Sequence, residues 1–225
     1  MRRVREIDIP QYSPREECLN AATHIFGAAF AVWVLVYGLR LARLHGRELA
    51  VESCWIYGLS MLILYLVSSV YHSLPVGNAK RVMRIVDHCT IYALIAGSYT
   101  PTLLVAIRPQ HPTLAWAIFA AEWGLGLLAG ILTAIDMKKY SRASMFCYIA
   151  MGWLIVVALK PTIEALTMPG FLWLLAGGVS YTVGAVLYGI GKRRPWFHTV
   201  FHVFVVLGSM LQAVCILKYV LCVSA

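Results

Sequence analysis

Long apolar runs, broken by short polar stretches, organise the whole chain. A membrane-spanning helix needs about 20 predominantly apolar residues. Seven stretches meet that requirement: Ala21–Leu44, Ala50–His72, Val86–Ile107, Thr113–Ile135, Ser144–Glu164, Phe171–Ile190 and His198–Leu221. Between them lie "ARLHGRE", "SLPVGNAKRVMR", "RPQHP", "DMKKYSR", "ALTMPG" and "GKRRPW". Connections this short oblige neighbouring helices to pack antiparallel in one bundle. The pattern predicts an all-α integral membrane protein: a seven-helix transmembrane bundle over residues 21–225, preceded by a short polar segment, residues 1–20. That segment has no apolar core of its own, so a cleaved signal peptide is not expected and the first span serves as the insertion signal.

Composition agrees with this class. Of 225 residues 60% are hydrophobic and 13% charged, whereas a soluble domain is nearer half apolar and a quarter charged. The net charge of +9 would suggest a nucleic-acid partner in a soluble protein. Here the Lys and Arg residues sit between the apolar runs, as cytoplasmic loops facing anionic headgroups do, and no nucleic-acid partner is expected. Placing the N-terminus in the cytoplasm puts Arg2, Arg3, Arg5, Arg15, Lys80, Arg81, Arg84, Lys138, Lys139, Arg142, Lys192, Arg193 and Arg194 inside. Only Arg40, Arg43, Arg47, Arg108, Lys160 and Lys218 then fall outside. The expected protein is therefore N-in and C-out in the inner (plasma) membrane, with the three arginines of the first outer loop as the exception. The six cysteines, Cys18, Cys54, Cys89, Cys147, Cys215 and Cys222, are scattered singly and read as packing residues rather than a disulfide framework.

This topology gathers ionisable residues at one depth. His72 ends the second span, Asp87 and His88 begin the third, and His198 and His202 begin the seventh. In the first, Glu17, Asn20 and His24 recur at i, i+3 and i+7, one helix face. Intramembrane ionisable residues are costly, face the bundle interior and mark function. The pair in "HTVFH" presents two imidazoles from one helix face, a spacing that zinc-binding helices use. Taken alone, it reads more readily as interfacial packing than as metal binding. With His72 as a third donor it becomes a three-histidine set with an open position, the arrangement of catalytic zinc. Asp87 is then free to take a proton from water, Ser68 lies one turn before His72 to position water or substrate, and Glu17 or Asn20 can hold the outer ring nitrogens. A helix turns about 100° per residue, so Asp87 and His88 are expected to diverge, with Asp87 facing the site. His45 and His111 read as solvated loop residues, and Glu122 is a carboxylate in the fourth span with no assigned partner.

The blocks "EECLNAATH", "SSVYHSLP", "VDHCTIYALIAGSYTP" and "HTVFHVFVVLGS" resemble, in order and spacing, the signature blocks of the hemolysin III proteins. These are the bacterial branch of the progestin and adiponectin receptor family. The resemblance runs from about Glu16 to Tyr219. It implies a seven-helix bundle with a zinc ion near the cytoplasmic side, held by His72, His198 and His202, with Asp87 on the zinc-bound water and Ser68 as its polar neighbour. The wider superfamily includes alkaline ceramidases, which hydrolyse lipid amides with the same constellation. The long N-terminal region of the receptor branch is missing, and nothing resembles a site for a protein hormone.

Three functions are open at this point. One is zinc-dependent hydrolysis of a lipid amide or ester whose substrate arrives laterally from the membrane. The second is a non-enzymatic regulator of membrane lipid homeostasis or energetics, with a structural or sensory metal. The third is a pore, against which stands the lack of any polar stripe crossing the whole membrane.

Overall fold

The computed structural model describes residues 7–191 and 194–222. Arg2, Arg3, Arg5, Lys192 and Arg193, counted above, lie outside the described residues. Those described are mostly helical, with no strand among them. In chain order the helices are α1 (Pro14–His45), α2 (Ala50–Ser73), α3 (Asn78–Pro101), α4 (Pro112–Ile135), α5 (Met137–Gly152), α6 (Leu159–Gly191) and α7 (Phe197–Cys215). α3 and α7 continue as π-helical turns, Thr102–Ile107 and Ile216–Leu221, and a short 3-10 segment, Leu154–Ala158, joins α5 to α6.

Six helical stretches are long and apolar enough to cross a membrane. The sequence pattern gave seven, and the difference lies in "ALTMPG". There Met137–Gly191, 55 residues, counts as one stretch, running through the join at Leu154–Ala158 and across a kink inside "ALTMPG". Within α6 a single residue, Thr167 (φ 60°, ψ 166°), leaves helical geometry. Pro169 explains the position of the break. It has no N–H to donate and clashes with the preceding turn of a continuous helix, but fits the first turn of a new one.

Several helices also begin well before their apolar runs. α1 starts at Pro14, α3 at Asn78 and α5 at Met137, so much of "SLPVGNAKRVMR" and "DMKKYSR" is helix. Hydropathy marks only the buried length of a helix, and polar turns can extend beyond it. At α1 the start is built locally. The Ser13 hydroxyl accepts from the Glu16 N–H, Glu16 Oε2 accepts from the Ser13 N–H at 2.9 Å, and Pro14 occupies the first turn. Gly46 ends the helix in the left-handed region (φ 61°), where glycine carries no steric penalty.

α1, α2 and α7 form the main core, around the fully buried Met61, Tyr65 and Ile216. Gly27 lets α1 ride directly on Tyr65, where a Cβ would meet the ring at 2.7 Å. The Tyr65 hydroxyl then crosses to α7 and donates to Ser209 Oγ at 2.7 Å. α5 packs mainly on α4 and touches α6 sparsely, leaving much of Met137–Gly191 on the outside of the bundle.

At the end of the bundle away from residue 7, Arg47 acts as a clasp. Its guanidinium donates to the Val220 carbonyl at 2.8 Å and the Val105 carbonyl at 2.9 Å. Both acceptors sit in the π-helical turns that end α7 and α3. One arginine of the exceptional loop is thus a structural tie among three helices rather than a free surface charge. A second basic residue of that face, Arg108, pairs with Glu48 at 3.0 Å.

Glu122 is buried in α4, and neither carboxyl oxygen has a hydrogen-bond partner among the described residues. A buried unsatisfied polar group costs roughly 1–3 kcal/mol. Glu122→Met is therefore expected to raise the thermal midpoint of the detergent-purified protein; a lowered midpoint would show that the carboxyl has a stabilising partner.

Candidate metal centre

The end of the bundle near residues 7–13 is built outward from the first two turns of α1. Glu16 Oε1 accepts from the Trp196 N–H at 2.7 Å, satisfying a free amide at the start of α7, where Trp196 holds φ 68°. One residue on, Glu17 reaches α2 and α3. Its Oε2 accepts from His72 Nδ1 at 2.6 Å, and its Oε1 accepts from Lys80 Nζ at 2.7 Å. Lys80 is only 2% exposed and also donates to the Leu74 carbonyl at 2.9 Å. Asn20 faces α7: its side-chain oxygen accepts from Thr199 Oγ1 at 2.7 Å, and its backbone carbonyl accepts from His202 Nδ1 at 3.2 Å. His24 lies flat against His202, ring centroids 3.8 Å apart.

This scaffold brings His72, His198 and His202 together with their ligand atoms all within 4.8 Å of one another. His198 Nε2 is 3.3 Å from His72 Nε2 and 3.1 Å from His202 Nε2. The partners of the outer nitrogens fix the tautomers. A carbonyl and a carboxylate only accept, so His202 and His72 carry their protons on Nδ1, and in the neutral rings both Nε2 lone pairs point inward. His198 Nε2 can donate to one of them at most. Three converging nitrogens with two bare lone pairs repel unless a cation lies between them. For zinc–nitrogen bonds of about 2.0–2.1 Å, tetrahedral ligands lie roughly 3.3 Å apart. The donor set fits a metal ion in charge, tautomer and spacing, and can hold one.

His198 and His202 face a cavity of about 140 Å³, lined with them by Ser68, Asp87 and His88 at one end and by Ser98, Trp153 and Gln212 deeper in, while His72 stands behind them, off the cavity wall. A smaller one of about 50 Å³ shares Ser98, Tyr99, Gly152, Trp153, Gly178 and Gln212 with it and continues toward Leu159 and Phe171. The walls are mainly apolar, with the ionisable Asp87 and His88 near the histidines and neutral polar groups, among them Ser98 and Gln212, deeper in. Of the other residues singled out in the sequence, Ser68, Asp87 and His24 reach this cavity. Glu17 and Asn20 sit behind the imidazoles rather than among them. His24 packs beside His202, outside the three-nitrogen group, with neither ring nitrogen hydrogen-bonded.

One expectation is corrected. Asp87 and His88 do not diverge: both line the cavity, with His88 Nδ1 3.8 Å from the Asp87 carboxylate. The cavity subtends enough of α3 to accept two adjacent side chains, and His88 Nδ1 bonds the Arg84 carbonyl at 2.9 Å. Sequence reasoning also missed Lys80, which it counted as a loop cation, and Tyr12, whose ring stacks on His198 with centroids 4.7 Å apart. No pattern marks Tyr12, but Ser13-x-x-Glu16 is a legible capping box and fixes the helix start immediately after it.

A multi-pass helical bundle, with three histidines clustered at one end beside an apolar cavity, defines the class: an integral membrane protein with an internal histidine cluster able to hold a metal ion. The profile of the family described as "Haemolysin-III related" matches residues 12–213, and the chain belongs to that family. It is 41% identical over 207 residues to "Hemolysin-3" of Bacillus cereus, covering 92% of this chain and 93% of the relative. The "Hemolysin-3 homolog" of Bacillus subtilis is 37% identical over 208 residues, 92% and 96% of the two chains. A human relative, "Monocyte to macrophage differentiation factor", is 29% identical over 222 residues, 93% and 87% of the two chains. Family and helices together make this a multi-pass protein of the inner membrane.

Proposed function

We propose that the protein is a zinc-dependent hydrolase of a membrane lipid amide or ester. The observation that carries this reading is the cluster of three Nε2 atoms, two of them on histidines, His198 and His202, that line a mainly apolar cavity together with Asp87 and Ser68. His72, His198 and His202 hold the zinc. Zinc bound there supplies a Lewis acid for the scissile carbonyl and lowers the pKa of a water. Asp87 takes the proton from the attacking water and returns it to the leaving group. Ser68, 2% exposed, donates its hydroxyl to orient the carbonyl or the water. The apolar cavity receives the acyl chain, and the sparse α5–α6 contact gives the substrate a lateral path from the lipid. Neither a nucleic acid nor a protein hormone is required.

The same reading completes the topology. At about 1.5 Å per residue, the 55 residues of Met137–Gly191 are far too long for one crossing of a roughly 30 Å core. The break at Thr167 divides them into two, giving seven crossings with the N-terminus and the histidine cluster on the cytoplasmic side. The described basic residues Arg81, Arg84, Lys138, Lys139 and Arg142 then meet the cytoplasmic leaflet.

Asp87→Asn separates catalysis from metal holding. The variant is expected to keep about one zinc per chain and to lose turnover of a lipid amide by at least roughly 100-fold, the lower end of the contribution of a positioned acid–base group. Elemental analysis and mass spectrometry of released fatty acid read the two outcomes. Unchanged turnover would remove Asp87 from the mechanism. A wild type that binds zinc yet turns over no lipid amide or ester would favour the regulator.

A further inference from the structure

The three imidazoles are not oriented in the same way. His72 and His202 have their outer nitrogens held, by Glu17 and by the Asn20 carbonyl. His198 has no such bond among the described residues: its Nδ1 is buried without a hydrogen-bond partner there. What it has instead is a flat neighbour. The Tyr12 ring lies against it at 4.7 Å and 11°, and the same ring stands 6.0 Å from that of His72.

We propose that residues 7–13 form a cap over the histidine cluster, and that Tyr12 is the positioning residue for His198. Stacking fixes the plane of the one imidazole that lacks an outer hydrogen bond, and the phenol covers the route from water to the three nitrogens. This rests on the reading of the cluster as a metal site.

The cap is tied down at both ends. On one side Arg84 donates to the Asp8 carbonyl, Arg81 Nε donates to the Ile7 carbonyl at 3.3 Å, and Lys138 lies 3.5 Å from the Asp8 carboxylate. On the other, Ser13 follows Tyr12 directly and is locked to Glu16 by the capping box. Glu16 in turn holds the Trp196 amide, two residues before His198. The stacked pair is therefore carried on α1 and α7 starts that share a carboxylate. The ties to α3 and α5 are bonds at the protein surface, so the cap can lift without disturbing the apolar core. Exchange of the ion, and of water on this side, would then follow the cap rather than the bundle.

The test uses the full chain purified in detergent, as wild type, Tyr12→Phe and Tyr12→Ala. In chelator-stripped protein, the rate at which diethyl pyrocarbonate modifies His198 is followed by mass spectrometry. In zinc-loaded protein, the rate of zinc loss to EDTA is measured. Tyr12→Ala is expected to speed both by about tenfold or more, within the range seen when a partner that orients a ligand is lost. Tyr12→Phe keeps the flat face and should stay within about twofold of wild type, as a stacked pair requires only the ring. If the alanine variant does not fold, Tyr12→Leu, which keeps apolar bulk but no flat face, carries the same comparison. Equal rates in wild type and the non-aromatic variant would overturn the proposal. A wild type that holds no zinc would sink the metal reading instead, and the His198 modification rates would still decide the cap.

Discussion

His202→Ala is expected to leave the purified protein almost without zinc and to abolish any lipid turnover, because it deletes the most deeply enclosed donor of the cluster. His202 is 1% exposed, with Nδ1 held by Asn20 and Nε2 3.1 Å from His198 Nε2. Losing an outer partner of a ligand costs about 10–100-fold in affinity, and losing the ligand itself must cost more. Two imidazoles would remain, too few for a site of this kind. The loss should exceed that of His24→Phe, which keeps the flat ring against His202 and removes no donor. Metal content by elemental analysis, with the thermal midpoint as a fold control, separates the two variants. Equal metal loss in both would mean that packing around His202, and not its nitrogen, holds the ion.

Glu17→Ala should produce the largest combined loss of stability and metal. Glu17 serves two groups at once, His72 Nδ1 at 2.6 Å and Lys80 Nζ at 2.7 Å. Its removal strands the ammonium of Lys80, which is 2% exposed, with only the Leu74 carbonyl as partner. Breaking a buried pair from one side costs about 3–5 kcal/mol, whereas replacing both partners by uncharged groups is often neutral. The double variant Glu17→Gln/Lys80→Met is thus expected to recover most of the thermal stability. It should not recover full zinc affinity, because an amide is a poorer acceptor for His72 Nδ1–H than a carboxylate. Thermal unfolding and competitive zinc titration of the three proteins read this directly. Full recovery of both properties would confine Glu17 to a structural role.

Much of the site was legible before the fold was. His198 and His202 are paired by helical spacing, and topology alone places His72, Ser68 and Asp87 at the same depth. The face made by Glu17, Asn20 and His24 was visible, but its division of labour was not. Which of these residues bonds a ring nitrogen depends on helix rotation, and a sequence period does not fix it. Lys80 was misplaced because a basic residue between apolar runs looks like a loop charge until a buried carboxylate is found opposite it. The tying role of Arg47 was missed for a related reason: its acceptors are backbone carbonyls in π-helical turns 58 and 173 residues away. Tyr12 lies in an irregular segment with no period at all. The helix count differed at Thr167 because a proline and a glycine that would end one helix can also begin the next.

The central claim is that His72, His198 and His202 hold a zinc ion inside the membrane protein. Elemental analysis of the full chain, purified without chelator, tests it most directly. The expected result is about one zinc per chain in the wild type and almost none in His72→Ala, His198→Ala and His202→Ala. A correctly folded wild type with no stoichiometric metal, or alanine variants that keep it, would contradict the claim.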